Sequence, residues 1–149
     1  MRFSAIKNHA ESTGLRFWQV SLLWQRNIKK ALQPFDMTHT QFVILSVIEE
    51  LSEQGKAVIQ KSIADFSMID VMTVSSAVRL LEKKSLVSRA ISESDTRAHA
   101  IVTTGKGKKL LAKAVRAVDD VDRMFFRSVG AGSALHQALS DLLAQNLEE

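Results

Sequence analysis

The apolar positions of the chain recur with two different periods. Over residues 15–33, Phe17, Val20, Trp24, Ile28 and Ala31 return at helical spacing, and Leu22, Leu23 and Leu32 widen the apolar surface. Pro34 lacks an amide hydrogen and ends that helix. Thr38 followed three residues later by Gln41 has the form of a capping box. It opens a second helix through Phe42, Ile44, Leu45, Ile48 and Leu51, which stops near Gly55. A short helix is predicted over residues 60–66, with Ile63, Ala64 and Phe66 apolar.

Asp70 can cap the next helix, over residues 71–84. At about 100° per residue, Val71, Val74, Ala77, Val78 and Leu81 fall on one side, and Met72, Ser75, Ser76, Arg79 and Lys83 on the other. The second face is polar, carries short side chains near the helix start and bears two cations, so it is not shaped for burial. After Leu86 the period shortens to that of β-branched strands, residues 87–91 and 98–103, around a polar tip at 92–97. Thr104 then caps a long helix over residues 105–127, Gly130-Ala131-Gly132 breaks it, and Ser133 starts a last amphipathic segment. The expected fold is mainly α with one small β-hairpin.

Composition narrows the class. The chain has 149 residues, 46% hydrophobic and 24% charged, which fits one globular domain. No apolar run approaches the roughly 20 residues of a membrane span, and the amino end lacks the apolar core of a signal peptide. With no cysteine there is no disulfide, thiolate zinc site or thiol redox sensor, so a cytoplasmic location is the expectation. The net charge is +4, and its distribution matters more than its sum. Residues 71–113 hold nine basic side chains against three acids, whereas residues 114–149 hold three against six. A basic block confined to one part of the chain points to an anionic partner there, or else to a merely solvated face.

The stretch VTTGKGKK, residues 102–109, has the glycines and lysines of a phosphate-binding loop but fails its spacing. Counting back from Gly107-Lys108, the first glycine of a P-loop would stand where Val102 is, and the magnesium-binding hydroxyl where Lys109 is. The glycines read instead as first-turn residues of the long helix, with its amino end and lysines exposed. No nucleophile–base pair is legible either. Asp119, Asp120 and Asp122 form an acidic cluster on the outward part of a helix with no partner base, so no enzyme is expected. His9, His39, His99 and His136 show no metal-ligand spacing, and neither metal nor cofactor is expected.

The order short helix, polar-faced helix, strand, basic-tipped turn, strand is that of a winged helix-turn-helix, whose second helix lies in the major groove of DNA. At this point the chain resembles the MarR family, the multiple antibiotic resistance type of transcriptional regulators. Met37-Thr38-His39-Thr40-Gln41-Phe42 looks like the family's L-T-x-x-Q-F opening, and residues 72–87 are similar to its recognition helix and exit, S-T-V-T…L-E-x-x-G-L-V. Asp95-Thr96-Arg97 matches its D-x-R wing signature, and Thr104 with Gly107 its closing L-T-x-x-G. Two departures carry structural expectations. Ser85 replaces the usual glycine, where a left-handed conformation is expected, and Thr103 stands where leucine is usual.

The resemblance implies one MarR-type domain, with a DNA-binding lobe at 37–103 and dimerisation helices at 5–34 and 104–147. It implies a homodimer on a pseudo-palindromic double-stranded operator, acting as a ligand-responsive repressor. Thr73, Ser75, Ser76, Arg79 and Lys83 are the candidate groove residues, Arg97 with Asp95 the candidate wing contact, and Lys61 and Lys84 candidate phosphate contacts. Family members often bind small aromatic compounds between the first helix and the lobe. Trp18, Trp24 and His39 are the candidate lining here, the alternative being dimer core for the tryptophans. A winged-helix protein-interaction module without DNA binding is the alternative function.

Overall fold

The computed structural model describes residues 12–91, 99–130 and 133–147. The hairpin tip at 92–98, and with it Asp95 and Arg97, lies outside the described residues, as does the chain before Ser12. Six helices and a two-stranded antiparallel hairpin follow in the order α1 (Thr13–Leu32), α2 (His39–Glu53), α3 (Gln60–Ser67), α4 (Val71–Lys83), β1 (Val87–Ile91), β2 (His99–Thr103), α5 (Gly105–Phe125) and α6 (Ala134–Leu147). A 3-10 turn at Gln33–Phe35, with Pro34 in it, joins α1 to α2, and another at Arg127–Val129 follows α5.

The local signals in the sequence produce these elements directly. The Thr38 hydroxyl accepts from the Gln41 amide at 3.1 Å while the Gln41 side chain accepts from the Thr38 amide at 3.3 Å, closing the capping box of α2. The Asp70 carboxylate accepts from the Thr73 amide at 2.9 Å and from the Thr73 hydroxyl at 2.6 Å. Thr104 caps α5 by accepting from the Gly107 amide at 3.0 Å. Each cap satisfies an amide that the first helical turn leaves without a partner.

Helices α2, α3 and α4 pack with the hairpin around one core. Ile28 and Leu32 of α1, Ile44, Leu45 and Ile48 of α2, Ile63 of α3, Val74, Val78 and Leu81 of α4, and Ala114 of α5 are fully buried. In the hairpin Val87 pairs with Thr103 and Arg89 with Ile101. Val87, Ile101 and Thr103 face the core, while Ser88 and Val102 face outward, as the alternation of a strand requires. The Ile101 amide also donates to the Val58 carbonyl at 2.7 Å, fastening β2 to the segment that enters α3. This is the winged helix-turn-helix that the pattern predicts. Val71, expected on the buried side, is exposed, because the first turn of α4 projects past the core that Val74 enters.

The two departures behave differently. Ser85 does take the left-handed conformation, with φ 60°. It sits where helix α4 ends in paired bonds, Ser85 amide to Glu82 carbonyl and Leu86 amide to Leu81 carbonyl, both 2.9 Å, with Leu81 and Leu86 buried behind them. Thr103 is 4% exposed and its hydroxyl has no hydrogen-bond partner. Thr103→Val keeps the shape and removes the unpaired hydroxyl, so it should stabilise the fold by about 1 kcal/mol, a gain read by urea unfolding. An unchanged or lower midpoint would mean that the hydroxyl is satisfied in solution.

Helices α1 and α6 carry apolar side chains that the other described residues do not cover. Phe17, Trp18, Val20 and Leu23 are exposed on α1, as are Leu139, Leu142, Leu143 and Leu147 on α6, and no residue of α6 is buried. No helix among the described residues is long and apolar enough to cross a membrane.

Candidate nucleic-acid interface

Helix α4 places its two faces by simple periodicity. Val74, Ala77, Val78 and Leu81 point into the core, which turns Met72, Thr73, Ser76, Arg79 and Lys83 to solvent and leaves Ser75 half-buried. Met72 is 78% exposed, the highest of the large apolar side chains among the described residues. The Arg79 guanidinium lies along its own helix, its Nε 3.5 Å from the Ser75 carbonyl. Among the described residues, neither Arg79 nor Lys83 nor Lys61 is in an ion pair. The structure thus brings Thr73, Ser75, Ser76, Arg79 and Lys83 onto one open face, with Lys61 exposed on α3.

Thr73 is partly committed, since its hydroxyl hydrogen goes to Asp70. That bond, with the amide bond beside it, holds the Asp70 carboxyl below the usual carboxylate range. Arg89 on β1 is paired with Glu82 of α4 at 3.1 Å, which ties the hairpin to the helix.

Lys84 is placed differently from the phosphate contact expected for it. Its ammonium turns away from the α4 face and donates to the Asp36 carbonyl and, at 3.2 Å, to Gln41 Oε1, with the Asp36 carboxylate 3.6 Å away. Two hydrogen bonds and one ion-pair contact thus engage the Lys84 ammonium within the fold.

The three ligand candidates are not one cluster. Trp24 and His39 meet edge to face with ring centres 5.2 Å apart, but Trp18 is 62% exposed on another part of α1. The tryptophans are six positions apart, which leaves them about 120° apart around the helix. Asp122, expected on the outward part of the helix, is half-buried on α5. Its carboxylate accepts from Trp24 Nε1 at 2.7 Å and joins α5 to α1 across 98 positions. A cavity of about 450 Å3 lies beside His39, lined also by Lys29, Gln33, Asp36, Met37 and Lys84.

Burial pushes the His39 imidazole pKa below 6.5, and the nearby Asp122 charge opposes that shift. The unfolded chain therefore binds the proton more readily than the folded one. The stability attached to neutral His39 is fully present above the ordinary imidazole value and is lost as pH falls through the lowered one. Thermal melts from about pH 7.5 down to about pH 5 should show a steeper decline for the wild type than for His39→Gln, since the glutamine has no proton to take up. Parallel declines would remove His39 as the cause.

Comparison with known proteins agrees with this geometry. The model of the MarR family matches residues 37–99, the stretch from the start of α2 to the hairpin. The HTH-type transcriptional regulator YdcH of Bacillus subtilis, itself uncharacterized, is 36% identical over 132 residues, covering 89% of this chain and 90% of its own. The chain belongs to the MarR family. As a MarR-family protein it is a transcriptional regulator.

Two solved structures share its fold. CouR from Rhodococcus jostii RHA1, bound to p-coumaroyl-CoA, superposes with a TM-score of 0.79 at 23% identity, covering 93% of each chain. A mutant MarR from E. coli complexed with operator DNA superposes with a TM-score of 0.77 at 20% identity, covering 94% of this chain and 96% of its own.

Proposed function

We propose that this MarR-family chain is a homodimeric, sequence-specific double-stranded DNA-binding repressor whose operator affinity is set by a small ligand. The observation that carries the reading is the outward face of α4. Among the described residues its cations, Arg79 and Lys83, are in no ion pair, on a helix whose opposite side is locked into the core. Such a face suits the major groove, where serine and threonine bond base edges and arginine reads guanine. Ser75, Ser76 and Arg79 take that role, with Thr73 accepting through its free lone pairs and Lys83 and Lys61 on phosphates. Arg97, set by Asp95 at the hairpin tip, would enter the neighbouring minor groove.

A second copy of the chain is the occupant expected for the uncovered apolar rows of α1 and α6. The domain then divides as the sequence suggests, into a lobe at 37–103 and dimerisation helices at 5–34 and 104–147. Two-fold symmetry would set the two α4 helices about 34 Å apart, one turn of duplex. That E. coli MarR of this fold is complexed with operator DNA supports the reading. For the ligand, support comes from the cavity beside His39 and from CouR, a protein of this fold bound to p-coumaroyl-CoA.

The deciding experiment is selection of duplexes from a random pool, followed by titration of the selected and a scrambled duplex at several salt concentrations. The reading expects specific binding that weakens with a log–log slope of about −0.9 per phosphate neutralised. Equal affinity for both duplexes, or none, would move the chain to the protein-interaction alternative.

A further inference from the structure

The exit of α4 is gripped from two sides. Three successive carbonyls there are taken by the start of α5: Lys84 by Lys106 Nζ at 3.1 Å, Ser85 by the Thr104 hydroxyl at 2.6 Å, and Leu86 by the Thr104 amide at 3.0 Å. From the other side, the Lys84 side chain crosses to the corner between α1 and α2. There it meets the carbonyl of Asp36, which has a left-handed φ of 49°, and the side chain of Gln41, which is 4% exposed. Gln41 Oε1 serves two donors at once, the Thr38 amide of the α2 cap and the Lys84 ammonium. One buried amide oxygen therefore joins the start of α2 to the end of α4.

We propose that Lys84 is a positioning residue for DNA recognition, a latch that fixes the angle of α4 relative to the α1–α2 corner. The inference rests on the DNA-binding reading of α4. Lys84 is the C-cap of α4, so its ammonium acts at the pivot of a helix about 20 Å long. A tilt of about 6° there moves the far end, where Met72 and Thr73 stand, by about 2 Å, enough to lose base-edge hydrogen bonds. The corner adjoins α1, one of the helices proposed to hold the second copy, and the grip on the other side comes from the start of α5, within the other proposed dimerisation segment, 104–147. Lys84 thus links the element that sets the distance between copies to the element that reads sequence.

A positioning lysine and a phosphate-contacting lysine differ in their salt signature. The test uses Lys84→Met, which keeps the aliphatic stem, beside Lys83→Met, on the selected and scrambled duplexes across a salt series. Lys84→Met should weaken binding to the selected duplex by about tenfold, leave binding to the scrambled duplex near wild type and keep the salt slope. Lys83→Met should weaken both and flatten the slope by about 0.9. A flattened slope with equal losses for Lys84→Met would make it a phosphate contact and overturn the proposal, as would no change on either duplex.

Amide hydrogen exchange without DNA provides a second arm. The latch expects faster exchange in Lys84→Met at both the last turn of α4 and the start of α2, and unchanged exchange overturns it. Should the wild type select no duplex, the DNA reading fails with it, while the exchange arm still decides whether the latch exists.

Discussion

Gly107→Ala should lower the melting temperature by about 6–12 °C, the equivalent of about 3 kcal/mol in a chain of this size. Gly107 is buried in the first turn of α5, where that turn presses on the chain leaving α4. A Cβ there would overlap the Leu86 carbonyl oxygen and stand 2.8 Å from Thr103 Cγ2 and 3.0 Å from the Leu86 carbonyl carbon. Backbone atoms cannot swing aside as a side chain can, so α5 must lift away. Lifting it loosens the bonds from Thr104 and Lys106 to the three carbonyls of residues 84–86. Differential scanning calorimetry reads the loss, and a melting temperature equal to wild type would show that α5 accommodates the methyl. Gly105, two residues earlier, meets nothing within 4 Å, so Gly105→Ala is the matched control.

The second large effect is on binding. Arg79→Glu should reduce affinity for the selected duplex by at least about 100-fold, because it removes one base-reading cation and sets a carboxylate against phosphates. Arg79 is exposed, and its single intramolecular bond, to the Ser75 carbonyl, is long at 3.5 Å. Stability should therefore stay within about 0.5 kcal/mol of wild type. Fluorescence anisotropy measures the binding and a urea titration the fold. An unchanged affinity in a folded variant would sink the groove assignment of α4.

Most of what was legible in the sequence was local. Thr38 with Gln41, Asp70 with Thr73, and Thr104 with Gly107 are three residues apart, so each cap announces itself. The buried stripe of α4 follows from the helical period alone, with Val71 as the exception at its fraying edge. The left-handed turn at Ser85 followed from resemblance to a family that keeps glycine there. What escaped was long-range. Lys84 finds Asp36 and Gln41 across 48 and 43 positions, and Trp24 finds Asp122 across 98. A lysine in a basic block and an aspartate in an acidic one look solvated until folding brings a partner. Gly107 was read as an ordinary first-turn residue at an exposed helix end, whereas it is buried because the Leu86 carbonyl, 21 positions away, closes over it. Trp18 and Trp24 stand on different sides of α1 for a reason the sequence did contain, the angle that six positions turn on a helix.

The Asp70 cap has an implication for how the helix meets nucleic acid. The amino end of a helix ordinarily attracts phosphate, because its free amides and dipole favour negative charge. In α4 that position is already filled by the Asp70 carboxylate, whose pKa the hydrogen bonds from Thr73 lower from its ordinary value. The tip of α4 therefore repels any backbone phosphate that comes to rest against it. Sliding encounters that bring the tip onto a strand are disfavoured, and only an approach that carries it past the strands toward the bases escapes the repulsion. If α4 enters the groove as proposed, a side chain that looks like simple helix architecture would thus act as a filter on the angle of approach.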